Sequence, residues 1–110
     1  MSVIDTRDLP VVERKAGWYG RYFNSSTMTF GHYEFDAGAQ IHAHDHVQEE
    51  VWHVIEGELE ITIDGTAYVV GPGCVGIVPP GCSHAVKALT DGKAIVVDYP
   101  IRAGFAPVSP

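Results

Sequence analysis

The chain has 110 residues, 45% of them hydrophobic and 19% charged, with a formal net charge of −7. That length suits one domain with a single core, and the composition is neither disordered nor membrane-spanning, since no apolar run approaches the roughly 20 residues that a spanning helix needs. The acidic balance argues against nucleic acid or an anionic membrane as partner, yet it allows an anionic small molecule, because a bound metal and one or two arginines reverse the field locally.

The first residues lack the apolar stretch of a secretory signal, so a cytoplasmic location is expected. Residues 1–27 are aromatic around Trp18, Tyr19, Tyr22 and Phe23 but show no clear period. They are expected to form an N-terminal extension that packs on the outside of the domain or against a second subunit. From residue 28 the dominant period is two, punctuated by glycine and proline, which marks short strands. Strands are expected at 28–35, 41–46 and 50–55. Leu59, Ile61 and Ile63 alternate with polar neighbours, and Asp64-Gly65 then supplies a two-residue hairpin turn leading into a partner strand at 66–70. Gly71-Pro72-Gly73 and Pro79-Pro80-Gly81 bracket a strand at 75–78, and two more are expected at 83–88 and 93–98. No segment carries a capped helical period. Many short strands at regular spacing imply an all-β sandwich, jelly roll or barrel. Residues 28–100 would form that barrel and 101–110 a C-terminal tail. The two cysteines, Cys74 and Cys82, are too few for a disulfide framework and are expected as small buried residues.

Chemistry concentrates at His44, His46 and Glu50, with His84 downstream. Side chains alternate along a strand, so His44 and His46 point the same way, and Glu50 joins them if the chain stays extended. Two imidazoles and a carboxylate, completed by a distant imidazole, suit one divalent metal ion; Fe, Mn, Ni and Zn all accept this set. Four protein ligands leave an octahedral ion one or two open positions, the mark of a catalytic site. Metal and carboxylate together stay positive, which favours an oxyanion, enolate or dioxygen-derived ligand.

The spacing resembles a known family. Gly38, His44, His46, Glu50 and Gly57 reproduce the first cupin motif without a gap, and Gly73, Pro79, Gly81 and His84 reproduce the second. The asparagine that normally closes the second motif is replaced by Ala88, which is not a ligand position. The resemblance implies a double-stranded β-helix, a jelly-roll cupin barrel with the metal held inside by His44, His46, Glu50 and His84. It also implies a single-domain protein that pairs as a homodimer.

Several neighbours have two readings. Glu49 competes with Glu50, but period two favours Glu50 and turns Glu49 outward. His42 shares the parity of His44, so it either lines the pocket or acts in acid–base catalysis, and it ranks first among the non-ligand candidates. Trp52 has inward parity and is expected as a pocket wall that binds substrate and excludes water, while His53 faces outward. Arg102 is either a surface arginine or a clamp for a substrate carboxylate. A phenol from Tyr33, Tyr68 or Tyr99 can reach such a pocket, and the sequence does not choose among them. Cys82, two residues before His84, reads as an inert thiol.

Three functions follow. The first is a metal-dependent isomerase or lyase acting without redox chemistry on a small polar carbonyl, enol or sugar-acid substrate. Pro100, Arg102 and Phe105 form a tail similar to that of the small cupins that open the ring of unsaturated uronates. The second is an iron-dependent dioxygenase, and the third a non-catalytic module that binds a metal or small ligand.

Overall fold

A computed structural model describes residues 2–106. Ten strands follow a short 3-10 turn at Thr6–Asp8: β1 Val12–Lys15, β2 Trp18–Asn24, β3 Thr29–Phe35, β4 Gln40–His44, β5 Glu49–Glu56, β6 Leu59–Ile63, β7 Thr66–Val70, β8 Val75–Val78, β9 His84–Ala88 and β10 Gly92–Tyr99. They form a six-stranded sheet in the order β1-β2-β3-β10-β5-β8 and a four-stranded sheet in the order β4-β9-β6-β7, paired antiparallel throughout. The two sheets are the halves of a jelly-roll barrel, as the motif spacing predicts.

Most of the strands turn one alternating face toward the space between the sheets. Trp18, Phe35, Trp52, Val54, Leu59, Ile61, Val86 and Val96 fill it, all nearly inaccessible to solvent. Burying each large side chain contributes about 1.5–3 kcal/mol. The hairpin between β6 and β7 turns at Asp64 and Gly65, with φ of 48° and 82°, the left-handed pair that a type I′ turn requires. At the end of β5, Gly57 has φ 78°, and a Cβ there would run into the carbonyl of Asp91.

The structure corrects two expectations. Part of the segment expected as an outer extension supplies β1 and β2, and β2 lies within the large sheet with Trp18 and Tyr22 buried. Of the cysteines expected to be buried, Cys74 is exposed and Cys82 half-buried, and both are free thiols.

Candidate metal centre

The three histidines come from three pieces of backbone. His44 ends β4 and stands directly opposite His84 at the start of β9. His46 lies in the loop that leads into β5, and Glu50 is the second residue of that strand. The ligand-type atoms of His44, His46 and His84 all lie within 4.8 Å of one another, and those of His46, Glu50 and Asp98 form a second such group. Glu50 is buried and Glu49 exposed, the orientation that period two predicts. The turn at Gly81 pins the two sequence motifs together, since its amide donates to the carbonyl of His46 at 2.8 Å.

Every imidazole is held by its Nδ1. That of His44 donates to the carbonyl of His42 at 2.8 Å, that of His46 to Gln48 at 3.1 Å and that of His84 to Cys82 at 3.0 Å. Placing the proton on Nδ1 leaves Nε2 as a lone pair. The Nε2 atoms of His46 and His84 are buried and have no hydrogen-bond partner among the described residues. His84 Nε2 lies 3.0 Å from Glu50 Oε2, and His46 Nε2 lies 3.6 Å from Oε1, close but outside hydrogen-bond geometry. Buried lone pairs that face a carboxylate without a shared proton suit a cation between them. The residues present therefore fit a divalent ion.

Glu50 is the electrostatic centre. Trp52 Nε1 donates to its Oε2 at 2.9 Å, and Arg102 NH1 lies 3.2 Å from its Oε1. Burial pushes the Glu50 carboxyl up, but its contacts with His46, His84, Asp98 and Trp52 outweigh that and hold it well below the usual carboxylate range. Asp98 goes the other way. It lies across from Glu50 in the β10–β5 ladder, and burial, then the Glu50 charge, push it up to about 8. Of the two, the raised Asp98 carboxyl is the one that holds a proton near neutral pH, while Glu50 stays ionised. Burial holds His44 below the ordinary imidazole value. In His84, burial acts downward, but the contacts with Glu50 and the Cys82 carbonyl win and raise it.

Beside the cluster lies a cavity of about 710 Å³. Trp18, Tyr22, Tyr33 and Trp52 wall it, His44 and Glu50 reach it from the cluster, and Arg14, Arg102 and Phe105 lie at the tail side. Tyr33 stacks on Trp52 with ring centres 5.9 Å apart, and Trp18 meets Trp52 edge-on at 5.8 Å. Arg102 is set in place by its backbone: its amide donates to Thr29 Oγ1 at 2.9 Å, and Gln48 Nε2 donates to the carbonyl of Ile101 at 3.1 Å.

Among the sequence candidates, Trp52 and Arg102 face the cavity, and His53 is exposed on the outside. Of the three tyrosines, Tyr33 lines the cavity, whereas Tyr68 and Tyr99 are exposed. His42 is exposed and lines the cavity at its rim, the pocket-lining reading, although strict period two is broken before it meets the cluster. Ile41 pairs with Val86 and His44 with His84, so β4 advances three residues against two on β9. That bulge leaves Ile41 and His44 half-buried and His42 and Ala43 exposed, and all four line the cavity. Residues that the sequence did not single out are Asp98, Arg14, Trp18 and, as a cavity phenol, Tyr22. Asp98 enters only through its cross-strand partner, for which the sequence holds no local signal.

The profile of the family described as "Cupin domain" matches residues 31–100. The chain belongs to the cupin family. Its structure is similar to that of an RmlC-like cupin from Shewanella frigidimarina, at 24% identity, a TM-score of 0.89 and 96% coverage of both chains. It is also similar to KdgF from Halomonas sp. (21% identity, TM-score 0.86, 94% of this chain and 96% of that one). A predicted oxalate decarboxylase from Thermotoga maritima matches at 17% identity and a TM-score of 0.78, over 90% of this chain and 99% of that one. At these identities the likeness establishes the fold. No curated protein sequence matches the chain significantly. Among the described residues, no helix is long and apolar enough to cross a membrane.

Proposed function

We propose that this cupin is a metal-dependent enzyme, an isomerase or lyase, that acts without redox chemistry on a small polar carbonyl, enol or sugar-acid substrate. One observation carries the reading: Nδ1-anchored imidazoles and Glu50 converge at the edge of an aromatic-walled cavity. A purely structural ion is enclosed by its ligands, whereas this cluster borders a volume in the range of small-molecule sites. His44, His46, His84 and Glu50 would hold one divalent ion, with Fe, Mn, Ni and Zn as the candidates. When bound, the ion supplies a Lewis acid that polarises a substrate oxygen.

The protein's own groups supply the rest. Trp18, Tyr33 and Trp52 exclude water, and Trp52 also orients Glu50 through its indole N–H. Tyr22 presents a buried phenol without a hydrogen-bond partner among the described residues, and burial raises it and Tyr33 above the ordinary phenol range, so both stay neutral donors. His42 at the rim is a further candidate for moving protons to solvent. For an unsaturated uronate the chemistry balances internally. The C1–O5 bond breaks, the C1 hydroxyl gives up its proton as the aldehyde forms, and the C5 enol becomes a ketone as C4 gains a proton. No electrons and no atoms enter or leave, so the site needs one acid, one base and one oxygen-polarising centre.

The same reading includes a homodimer. Phe23, Phe30, Val97, Val51 and Ile77 are successive cross-strand partners on the outer face of the large sheet, and Phe23 stacks on Phe30 at 4.8 Å. Sedimentation should show a dimer that Ile77→Glu weakens.

The test of the activity is an unsaturated uronate incubated anaerobically with protein loaded in turn with each of the four metals. Loss of the ultraviolet absorbance of the conjugated enol ether supports the reading. Iron-dependent oxygen uptake with no ring opening would replace it with a dioxygenase. Tight ligand binding with no turnover across a panel of carbonyls and sugar acids would replace it with a binding module.

A further inference from the structure

We propose that Arg14 of β1 joins Arg102 around Phe105 to form a carboxylate-binding end of the cavity, which selects a monocarboxylate such as a sugar acid over its neutral counterpart. The proposal names the substrate class for the site described above. It rests on that reading for the reaction but not for the binding.

Charge distribution is the first observation. The chain carries fourteen acidic residues against seven lysines and arginines. Yet three of those seven, Arg14, Lys15 and Arg102, line this one cavity, and Glu50 is the carboxylate among the lining residues. Glu50 faces His46 and His84 and is engaged by the cluster. An acidic protein that gathers nearly half its fixed cations on one cavity attracts an anion there.

Local geometry is the second observation. Arg14 belongs to a short edge strand whose four residues are all exposed, and nothing in such a strand requires its side chain to fold inward. Its guanidinium carbon nonetheless lies 3.9 Å from the centre of the Phe105 ring, and its NH1 donates to the carbonyl of Gly104 at 2.9 Å. The guanidinium carbon of Arg102 lies 4.3 Å from the same ring centre. Stacking holds a guanidinium by its face and leaves its in-plane N–H donors for a planar acceptor, which a carboxylate matches in a bidentate fork. Arg102 directs NH1 at Glu50 and, at 3.7 Å, at Asp98. Arg14 has no carboxylate within ion-pair distance among the described residues. One arginine thus ties the anion site to the cluster, and the other, held by the Gly104 carbonyl and the Phe105 ring, has no carboxylate partner among the described residues.

Arg102 joins the carboxylate end to the cluster: its guanidinium lies 3.2 Å from Glu50 Oε1, and its carbon lies 4.3 Å from the Phe105 ring that Arg14 also covers.

The test uses zinc-loaded protein, which is redox-inert, and calorimetric titration with galacturonate and galactose, a matched acid and neutral sugar that need not react. Wild type should prefer the acid by about ten- to a hundredfold, the worth of a charge-assisted hydrogen-bonded pair. Arg14→Gln should lose most of that preference, with zinc content and galactose affinity unchanged. Arg14→Lys should retain part of it, and Arg7→Gln, at the arginine paired with Asp5 elsewhere, should retain all of it. A wild type with no acid preference overturns the proposal, as does an Arg14→Gln variant that keeps the preference or weakens both sugars equally. Because binding is read on a saturated sugar, failure of the ring-opening activity leaves this result intact.

Discussion

Asp98 offers a quantitative test of the site's electrostatics in metal-free protein. It is 4% exposed, lies across the β10–β5 ladder from Glu50, and is pushed up to about 8 by burial and by the Glu50 charge, with Arg102 pulling the other way. In the unfolded chain an aspartate titrates at its ordinary value of 3.8. Between those values the folded protein holds a proton that the unfolded chain has released, so stability falls as pH rises, by at most about 1.4 kcal/mol per pH unit. From about pH 5.5 to about pH 7.5 the ceiling is about 2.7 kcal/mol, and dielectric relaxation around a buried pair reduces this to about 1–2 kcal/mol.

Asp98→Asn keeps the shape and a donor toward Glu50 but has no proton to lose, so this component should vanish. Two neighbours leave the comparison clean. Glu50 is depressed, so its contribution is present above the usual carboxylate range and is lost only at pH values below this window. His84 is raised, so its contribution is complete below the ordinary imidazole value and declines as pH rises, in wild type and variant alike. Urea unfolding of chelator-treated protein at three pH values across the window gives the answer. The stability of the variant relative to wild type should rise by about 1–2 kcal/mol toward the upper pH. A difference that stays constant with pH would refute the assignment of that proton to Asp98.

Three further outcomes follow from the geometry. Glu50→Ala and His84→Ala should each lower metal content strongly while Glu49→Ala leaves it unchanged; equal losses at Glu49 and Glu50, by elemental analysis, would defeat the register. Trp52→Phe keeps an aromatic ring but removes the N–H donated to Glu50, and a zinc competition titration should show affinity reduced by about ten- to a hundredfold. Gly57→Ala forces a side chain into a left-handed φ and against the Asp91 carbonyl, and should destabilise the fold by about 1–3 kcal/mol in urea titration.

What the sequence revealed depended on whether a local rule governed the element. β6 and β7 were legible because alternation and an Asp-Gly turn are both local signals. β2 was not, although it alternates faithfully between buried and half-buried positions. Its buried set is Trp18, Gly20, Tyr22 and Asn24, while the outward set includes Tyr19 and Phe23, so hydrophobicity does not follow the faces. Gly20 is small because the ring of Tyr22 occupies the space a Cβ would need, and Asn24 is inside because it accepts from Thr29 Oγ1 at 2.7 Å. Packing of that kind overrides pattern. The inward turn of Glu50 was readable because β5 is regular from Glu50 to Val54. His42 reaches the cavity at its exposed rim and not beside the ligands because one extra residue in β4 shifts the parity, and a bulge has no signature in this stretch of sequence. Asp98 joins the site through its ladder partner on the neighbouring strand and Arg14 through its contacts with Gly104 and Phe105, information that exists only once the chain is folded.

The irregular stretches of backbone are also what prepare the histidines. In a regular ladder a strand carbonyl accepts from its neighbour, so an imidazole competes with the sheet for it. The three acceptors used here are all placed where the ladder is interrupted: His42 lies in the β4 bulge, Gln48 in the loop before β5, and Cys82 in the turn after Pro79-Pro80-Gly81. Each interruption frees a carbonyl two residues from a histidine, and that carbonyl sets the tautomer before any ion arrives. The Pro79-Pro80-Gly81 turn of the second motif therefore does more than connect strands. Pro79 and Gly81 end a ladder just where His84 needs an acceptor, and the β4 bulge and the loop before β5 do the same for His44 and His46, so that the Nε2 atoms of His46 and His84 are left buried and without a hydrogen-bond partner among the described residues beside Glu50. Ala88, where the family's second motif has asparagine, lies beyond this arrangement. Its backbone amide and carbonyl bond to Ala39 and Gly38 just ahead of the neighbouring strand β4, and its methyl group packs in the core, so its side chain has no part in orienting the imidazoles.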